Sequence, residues 1–219
     1  MDKYAALQYL LDKCIIAVVR VDTGGDDLVR VVEAVAQGNV HCIEVTMTTP
    51  GALQCIETAS KRLENADVLL GVGSVLDAET CRMAILAGAE YVVTPTLSIP
   101  TIRMARRYGK PVCCGAYTPT EILTAWDQGS DLVKVFPASI GGPAYLKAIK
   151  GPLPQIPLVP TGGVKLENVG AFLGAGASAL AVGGNLVDKK LVAARDFDGI
   201  TANAKAFAGA VATARAAGA

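Results

Sequence analysis

Asp131-Leu132-Val133-Lys134-Val135-Phe136-Pro137 reads as a short β-strand with a lysine at its centre. Alternate side chains of a strand point to opposite faces, so Lys134 shares a face with Leu132 and Phe136. Lysine is seldom fully buried without a partner. Lys134 therefore sits either on an edge or solvated face, or in an apolar site. There, desolvation disfavours the ammonium and frees the amine as a nucleophile. The segment by itself leaves both readings open.

Similar apolar runs recur on either side. Residues 15–20, 42–47, 69–75, 91–96, 111–116, 132–136, 157–161 and 179–184 make eight candidate strands. They start about 20–27 residues apart, the repeat of strand-loop-helix-loop units. Their near-continuous Val, Ile and Leu content suits parallel strands covered on both faces. Helical periodicity lies between them, as in Leu28, Val31, Val32 and Val35, and in Leu166, Val169, Phe172 and Leu173. Gly38, Gly88, Gly109, Gly129 and Gly176 stand where helix C-terminal caps belong. Leu7, Leu10 and Leu11 predict an extra helix before the first strand, and the Ala-rich tail from 200 to 219 a last one. Eight such units in 219 residues predict a (β/α)8 TIM barrel with an extra N-terminal helix, filling residues 1–219 as one domain. An open doubly wound sheet fits less well. Gly71-Val72-Gly73 begins a dinucleotide fingerprint, but Leu76 stands at the third glycine, and no Walker A sequence is present.

Composition narrows the function. Acidic and basic residues balance at 20 each, and aromatics make up 5%, so neither nucleic acid nor an anionic membrane surface is an expected partner. Cys14, Cys42, Cys55, Cys81, Cys113 and Cys114 are scattered without a C-x-x-C pair. With a charged start at Met1-Asp2-Lys3, they fit a reduced, cytoplasmic protein. The uncharged stretch 168–187 is long enough to cross a bilayer, but its five glycines and two asparagines suit a buried helix-turn-strand better.

Barrel active sites lie at the C-terminal ends of the strands. Arg20, Glu44, Ser74 and Lys134 occupy such positions, with Thr46 and Thr48 following Glu44. Charges on central parallel strands are costly unless they pair or work. If Glu44 and Lys134 converge inward, they form an acid/base with an amine; the alternative is a structural ion pair. Strands 7 and 8 end in Thr161-Gly162-Gly163 and Gly183-Gly184-Asn185. The loops after these two barrel strands often receive phosphate on backbone N–H groups, and glycine allows the close approach. No metal site is expected: His41 is the one histidine, and Glu44 has no ligand spacing with Asp67 or Asp131. Trp126 reads as helix packing, and Cys113 and Cys114 lack a histidine to activate them.

Ile43-Glu44-Val45-Thr46, Gly71-Val72-Gly73-Ser74-Val75, Val93-Thr94-Pro95, Lys134-Val135-Phe136-Pro137, Pro160-Thr161-Gly162-Gly163-Val164 and Val182-Gly183-Gly184 stand in one order. Together they resemble the KHG/KDPG aldolases, which cleave 2-keto-3-deoxy-6-phosphogluconate (KDPG) or 4-hydroxy-2-oxoglutarate. The resemblance spans roughly 15–187. It implies a metal-independent, cofactor-free class I aldolase, usually a homotrimer, acting on a phosphorylated 2-keto acid. By that resemblance Lys134 is the Schiff-base lysine and Glu44 the general acid/base. Ser74 helps hold the pyruvyl carboxylate, Pro95 and Phe136 line the pyruvyl pocket, and Gly162, Gly163 and Gly184 receive the phosphate. Two departures stand out. Thr48 occupies a position where some members carry a carboxylate-binding arginine, and Arg20 resembles the arginine of other members. Asn185 follows Gly184 where serine is frequent. The competing expectations are 4-hydroxy-2-oxoglutarate or the galactonate epimer as substrate, a metal-dependent phosphosugar epimerase or isomerase, and a non-catalytic phosphosugar-binding barrel.

Overall fold

The computed structural model describes residues 1–218; Ala219, the end of the expected tail helix, lies outside the described residues. The strands are β1 Ile15–Val19, β2 Cys42–Thr46, β3 Leu69–Gly73, β4 Val92–Val93, β5 Val112–Ala116, β6 Leu132–Val135, β7 Leu158–Pro160 and β8 Leu180–Val182. The helices are α1 Lys3–Lys13, α2 Gly25–Gln37, α3 Ala52–Arg62, α4 Ala78–Leu86, α5 Ile99–Arg107, α6 Pro119–Asp127, α7 Gly142–Lys150, α8 Val169–Gly174, α9 Lys189–Ala193 and α10 Phe197–Ala216. Parallel strands need a crossover, and a helix supplies each one. The sheet runs β7-β6-β5-β4-β3-β2-β1-β8. The bridges Leu158–Ala177 and Thr161–Ala181 bring its two ends together. This is the expected (β/α)8 barrel with its added N-terminal helix.

The pleat separates two apolar cores. Val31, Val32 and Val35 of α2 pack with Ala17, Ile43 and Val45 in the outer layer between helices and sheet. Ile16, Val18, Cys42, Leu69, Tyr91, Val93, Cys113, Leu132, Val159 and Ala181 fill the barrel itself. Ala6 and Leu10 of α1 join this inner core, so the added helix closes the barrel's N-terminal end. Local chemistry sets the helix starts. The Asp2 side chain accepts from the Ala5 N–H at α1, and Asp77 from the Thr80 N–H at α4. Thr118 and Glu121 cap each other at α6, with Pro119 in the first turn.

The strands stop short of the sequence expectation, because their C-terminal residues leave the ladder for the loops. β4 is the extreme case, with two residues. Pro95 has no N–H to extend it, and the Thr94 hydroxyl turns back to donate to the Thr96 carbonyl at 2.7 Å. Gly88, Gly109, Gly129 and Gly176 have positive φ, as helix-ending glycines should. Gly38 does not: its φ is −82°, and Asn39 takes the left-handed turn at 64°. Glycine is needed at 38 for space, since a Cβ there would lie 2.4 Å from the Ala204 Cβ. The helix expected from Leu166 begins as a 3-10 turn over Leu166–Asn168 before α8, and α9 had no sequence signal. The 168–187 stretch is part of this barrel, and no described helix is long and apolar enough to cross a membrane.

Candidate active site

Lys134 of β6 and Glu44 of β2 both face the barrel interior, 2% and 1% exposed. Register explains how they fit. Lys134 lies between Gly115 of β5 and Val159 of β7. Glu44 lies between Val18 of β1 and Gly71 of β3. The Glu44 carboxyl then leans over Gly73, where a Cβ would stand 2.5 Å from Oε1. On β5, next to Lys134, Gly115 leaves room for the loop after β4, since a Cβ there would meet the Pro95 carbonyl carbon at 2.3 Å. Glycines thus make room for the Glu44 carboxyl and for the Pro95 loop.

Lys134 and Glu44 do not form an ion pair, though each lies within the other's electrostatic reach. Neither carboxyl oxygen of Glu44 has a hydrogen-bond partner. Burial pushes the Glu44 carboxyl above the usual carboxylate range, while the charges of Lys134 and Arg20 pull it back. The Lys134 ammonium rests 5.2 Å from the centre of the Phe136 ring. That ring is also the floor of the β7 loop, 3.5 Å from where a Cβ of Gly162 would be.

Beyond Phe136 opens a cavity of about 170 Å³, lined by Arg20, Phe136, Thr161, Gly162, Gly163, Gly184 and Asn185 among others. Gly162 and Gly163 have φ of 88° and 78°, a region that L side chains rarely adopt. Among the described residues, the N–H groups of Gly163, Gly184 and Asn185 donate to no protein acceptor. The Asn185 side chain is already engaged: its Nδ2 donates to the Val164 carbonyl at 2.7 Å and ties the β8 loop to the β7 loop.

The remaining expected residues fall on the rim. Arg20 Nη2 donates to Ser74 Oγ at 3.2 Å, bridging the ends of β1 and β3 above Glu44. Ser74 holds a left-handed φ of 56°, a strained setting for a residue with a side chain. Thr48 is exposed, and its hydroxyl is 3.0 Å from that of Thr46 instead of lining the cavity. The sequence reading missed three contributors. Thr161 lines the cavity and is 6% exposed. Gly73 and Gly115 admit Glu44 and the Pro95 loop. The Gly71-Val72-Gly73 alternation was the available signal, since both its glycines turn inward.

Known proteins share this fold. The family model described as KDPG and KHG aldolase matches residues 8–203. A 2-dehydro-3-deoxy-phosphogluconate aldolase of Treponema pallidum is 38% identical over 179 residues, 81% of this chain and 84% of that protein. Among solved structures, a native KDPGal structure superposes with a TM-score of 0.85 at 30% identity, covering 92% of this chain and 96% of the other. A KDPG aldolase of Legionella pneumophila, with pyruvate captured at low pH as a covalent carbinolamine intermediate, gives 0.84 at 25% identity, covering 92% and 97%. A buried lysine and carboxyl inside a parallel barrel, glycine loops at its rim and a family match over nearly the whole length lead to one conclusion: the chain belongs to the KDPG and KHG aldolase family.

Proposed function

We propose that this chain is a class I aldolase that cleaves KDPG to pyruvate and glyceraldehyde 3-phosphate. The observation that carries the reading is the buried Glu44 carboxyl: it has no hydrogen-bond partner and forms no ion pair with Lys134, whose amine sits over the Phe136 ring instead. Buried groups left this way cost stability, which points to work in catalysis.

The chemistry follows from their placement. The neutral Lys134 amine attacks the C2 ketone, and the carbonyl oxygen takes a proton from Glu44, whose affinity for protons burial increases. The Glu44 carboxylate takes a proton from the carbinolamine nitrogen and passes it to the hydroxyl, which leaves as water and gives an iminium. The Glu44 carboxylate removes the C4 hydroxyl proton. The C3–C4 bond breaks and its electron pair enters the enamine. Glyceraldehyde 3-phosphate departs. Glu44 returns its proton to C3, water adds to the iminium, and pyruvate leaves Lys134 free.

Arg20 and Ser74 hold the pyruvyl carboxylate, with Arg20 in place of the arginine absent at Thr48. Phe136 and Pro95 line the pyruvyl pocket. The phosphate binds the N–H groups of Gly163, Gly184 and Asn185, with Gly162 shaping the turn. This cavity favours a phosphorylated substrate over 4-hydroxy-2-oxoglutarate, whose C5 carboxylate is smaller and lies closer to C4 than the C6 phosphate does. The chain works as one barrel domain, assembles as a homotrimer and acts in the cytoplasm.

Kinetics on KDPG, its galactonate epimer and 4-hydroxy-2-oxoglutarate test the reading. Charge-assisted hydrogen bonds contribute about 1.5–3 kcal/mol each, so kcat/KM for KDPG should exceed that for 4-hydroxy-2-oxoglutarate by at least about tenfold. Equal efficiency on the unphosphorylated substrate would remove the phosphate assignment. Full activity in Lys134→Ala would remove the mechanism.

A further inference from the structure

Tyr91 immediately precedes β4, faces the barrel interior and is 1% exposed. Its hydroxyl is buried with no hydrogen-bond partner. A buried hydroxyl left unsatisfied is destabilising, and phenylalanine would avoid that at nearly the same volume. The ring position is informative. A Cβ on Gly71 would lie 2.4 Å from Tyr91 Cε1 and 2.5 Å from Cζ, so the hydroxyl end of the ring covers Gly71. The Glu44 carboxyl covers Gly73 in the same way. Gly71 and Gly73 are successive inward positions of β3, about 6.6 Å apart at the usual strand rise. The phenol and the carboxyl are thus two orphaned polar groups over neighbouring points of one strand. They make no direct hydrogen bond to each other, and one water placed between them would give each a partner.

We propose that Tyr91 is a positioning residue for Glu44: its phenol donates, through one buried water, to the Glu44 carboxylate whenever that group is deprotonated during turnover. The proposal rests on the reading of Glu44 as the acid/base of a Schiff-base aldolase. The donor would stabilise the carboxylate after it has protonated the carbinolamine oxygen, and would aim it at the C4 hydroxyl. The ionisable groups facing the pair are Cys42 of β2, Cys113 of β5, Lys134 of β6 and Arg20 at the end of β1. Burial raises Tyr91 well above the ordinary phenol range, with Glu44 adding to the effect, so the phenol keeps its proton and stays a donor. Burial likewise raises the Cys113 thiol, which leaves it neutral.

The test is Tyr91→Phe, which keeps the ring beside Gly71 and removes only the hydroxyl. Loss of a donor to the charged form raises a carboxyl pKa. The acid limb of the kcat profile should therefore move up by about one pH unit, with kcat down about tenfold and the KM for KDPG little changed. Direct titration of the Glu44 carboxyl by NMR on carbon-13-labelled enzyme should show the same upward shift without reference to activity. A purely structural tyrosine would alter the melting temperature and leave both titrations where they were, which overturns the proposal. Pyruvate with borohydride separates the two layers of inference. A trapped Lys134 adduct in wild type with unshifted Tyr91→Phe titrations overturns only the role of Tyr91. No adduct in wild type overturns the mechanism, and this proposal with it.

Discussion

Gly73→Ala places one methyl group against Glu44. The methyl carbon would stand 2.5 Å from Oε1 and 2.7 Å from Cδ, where ordinary contact begins near 3.4 Å. Relief requires the carboxyl to move by about 0.9 Å, the difference between 3.4 and 2.5 Å. Gly73 does not have a positive φ, so alanine meets no backbone penalty there. Replacing glycine by alanine at a compatible position contributes about 0.4–1 kcal/mol through the unfolded chain. The end of a flexible side chain gives way more cheaply than a ring or backbone would. The melting temperature should therefore stay within a few degrees of wild type. Turnover should not: a misplacement of about 1 Å in a reacting group costs on the order of 100-fold. Steady-state cleavage of KDPG measures the loss. Borohydride trapping with pyruvate should still label Lys134, because the amine is untouched. A Gly73→Ala enzyme with wild-type kcat would show that the Glu44 position does not matter, and the assignment of Glu44 as acid/base would fall.

Gly71→Ala differs in kind. Its methyl meets the Tyr91 ring at 2.4–2.6 Å, and a rigid ring in a packed core cannot yield, so overpacking of about 1–3 kcal/mol should appear in denaturant unfolding; unchanged stability would contradict the inner packing described. Glu44→Gln should lose about 100- to 10,000-fold in kcat while becoming the more stable protein at neutral pH. Burial raises the folded-state pKa of Glu44 above its unfolded value of about 4.3, so between those values the native state binds more protons and wild-type stability falls as pH rises. The stability gap between Gln and Glu should open above about pH 4 and widen until the folded pKa is passed; a gap independent of pH would contradict it. Asn185→Ala removes the 2.7 Å tie between the two glycine loops. A net hydrogen bond of about 0.5–1.5 kcal/mol should appear as a KM for KDPG raised about two- to tenfold with kcat retained, and a lower kcat at unchanged KM would refute it.

The barrel was legible because its strands are apolar on both faces and recur at even spacing, and each of the eight lies where a run such as 42–47 or 157–161 placed it. The strand ends were not. Pairing stops where hydrogen-bond partners run out, as Pro95 and the Thr94 hydroxyl show at β4, and apolar composition does not record that. Lys134 and Glu44 could be singled out because charge on a buried strand is a local contradiction. The groups that make room for them could not, because a glycine's value at 73 or 115 depends on what another strand points at it. Gly38 shows the same limit: it looks like a helix stop, yet it serves contact with α10, while Asn39 makes the turn. Asn185 kept its hydrogen-bonding chemistry, but its amide is spent on Val164, which lies 21 positions earlier in the chain.

The claim on which the rest depends is that the Lys134 amine, buried beside Phe136, is a nucleophile. Incubation with pyruvate and borohydride, followed by proteolysis and mass spectrometry, tests it most directly. The account predicts a reduced pyruvyl adduct on Lys134, lost in Lys134→Ala. No adduct under turnover conditions, or an adduct on another lysine with Lys134→Ala still active, would contradict it.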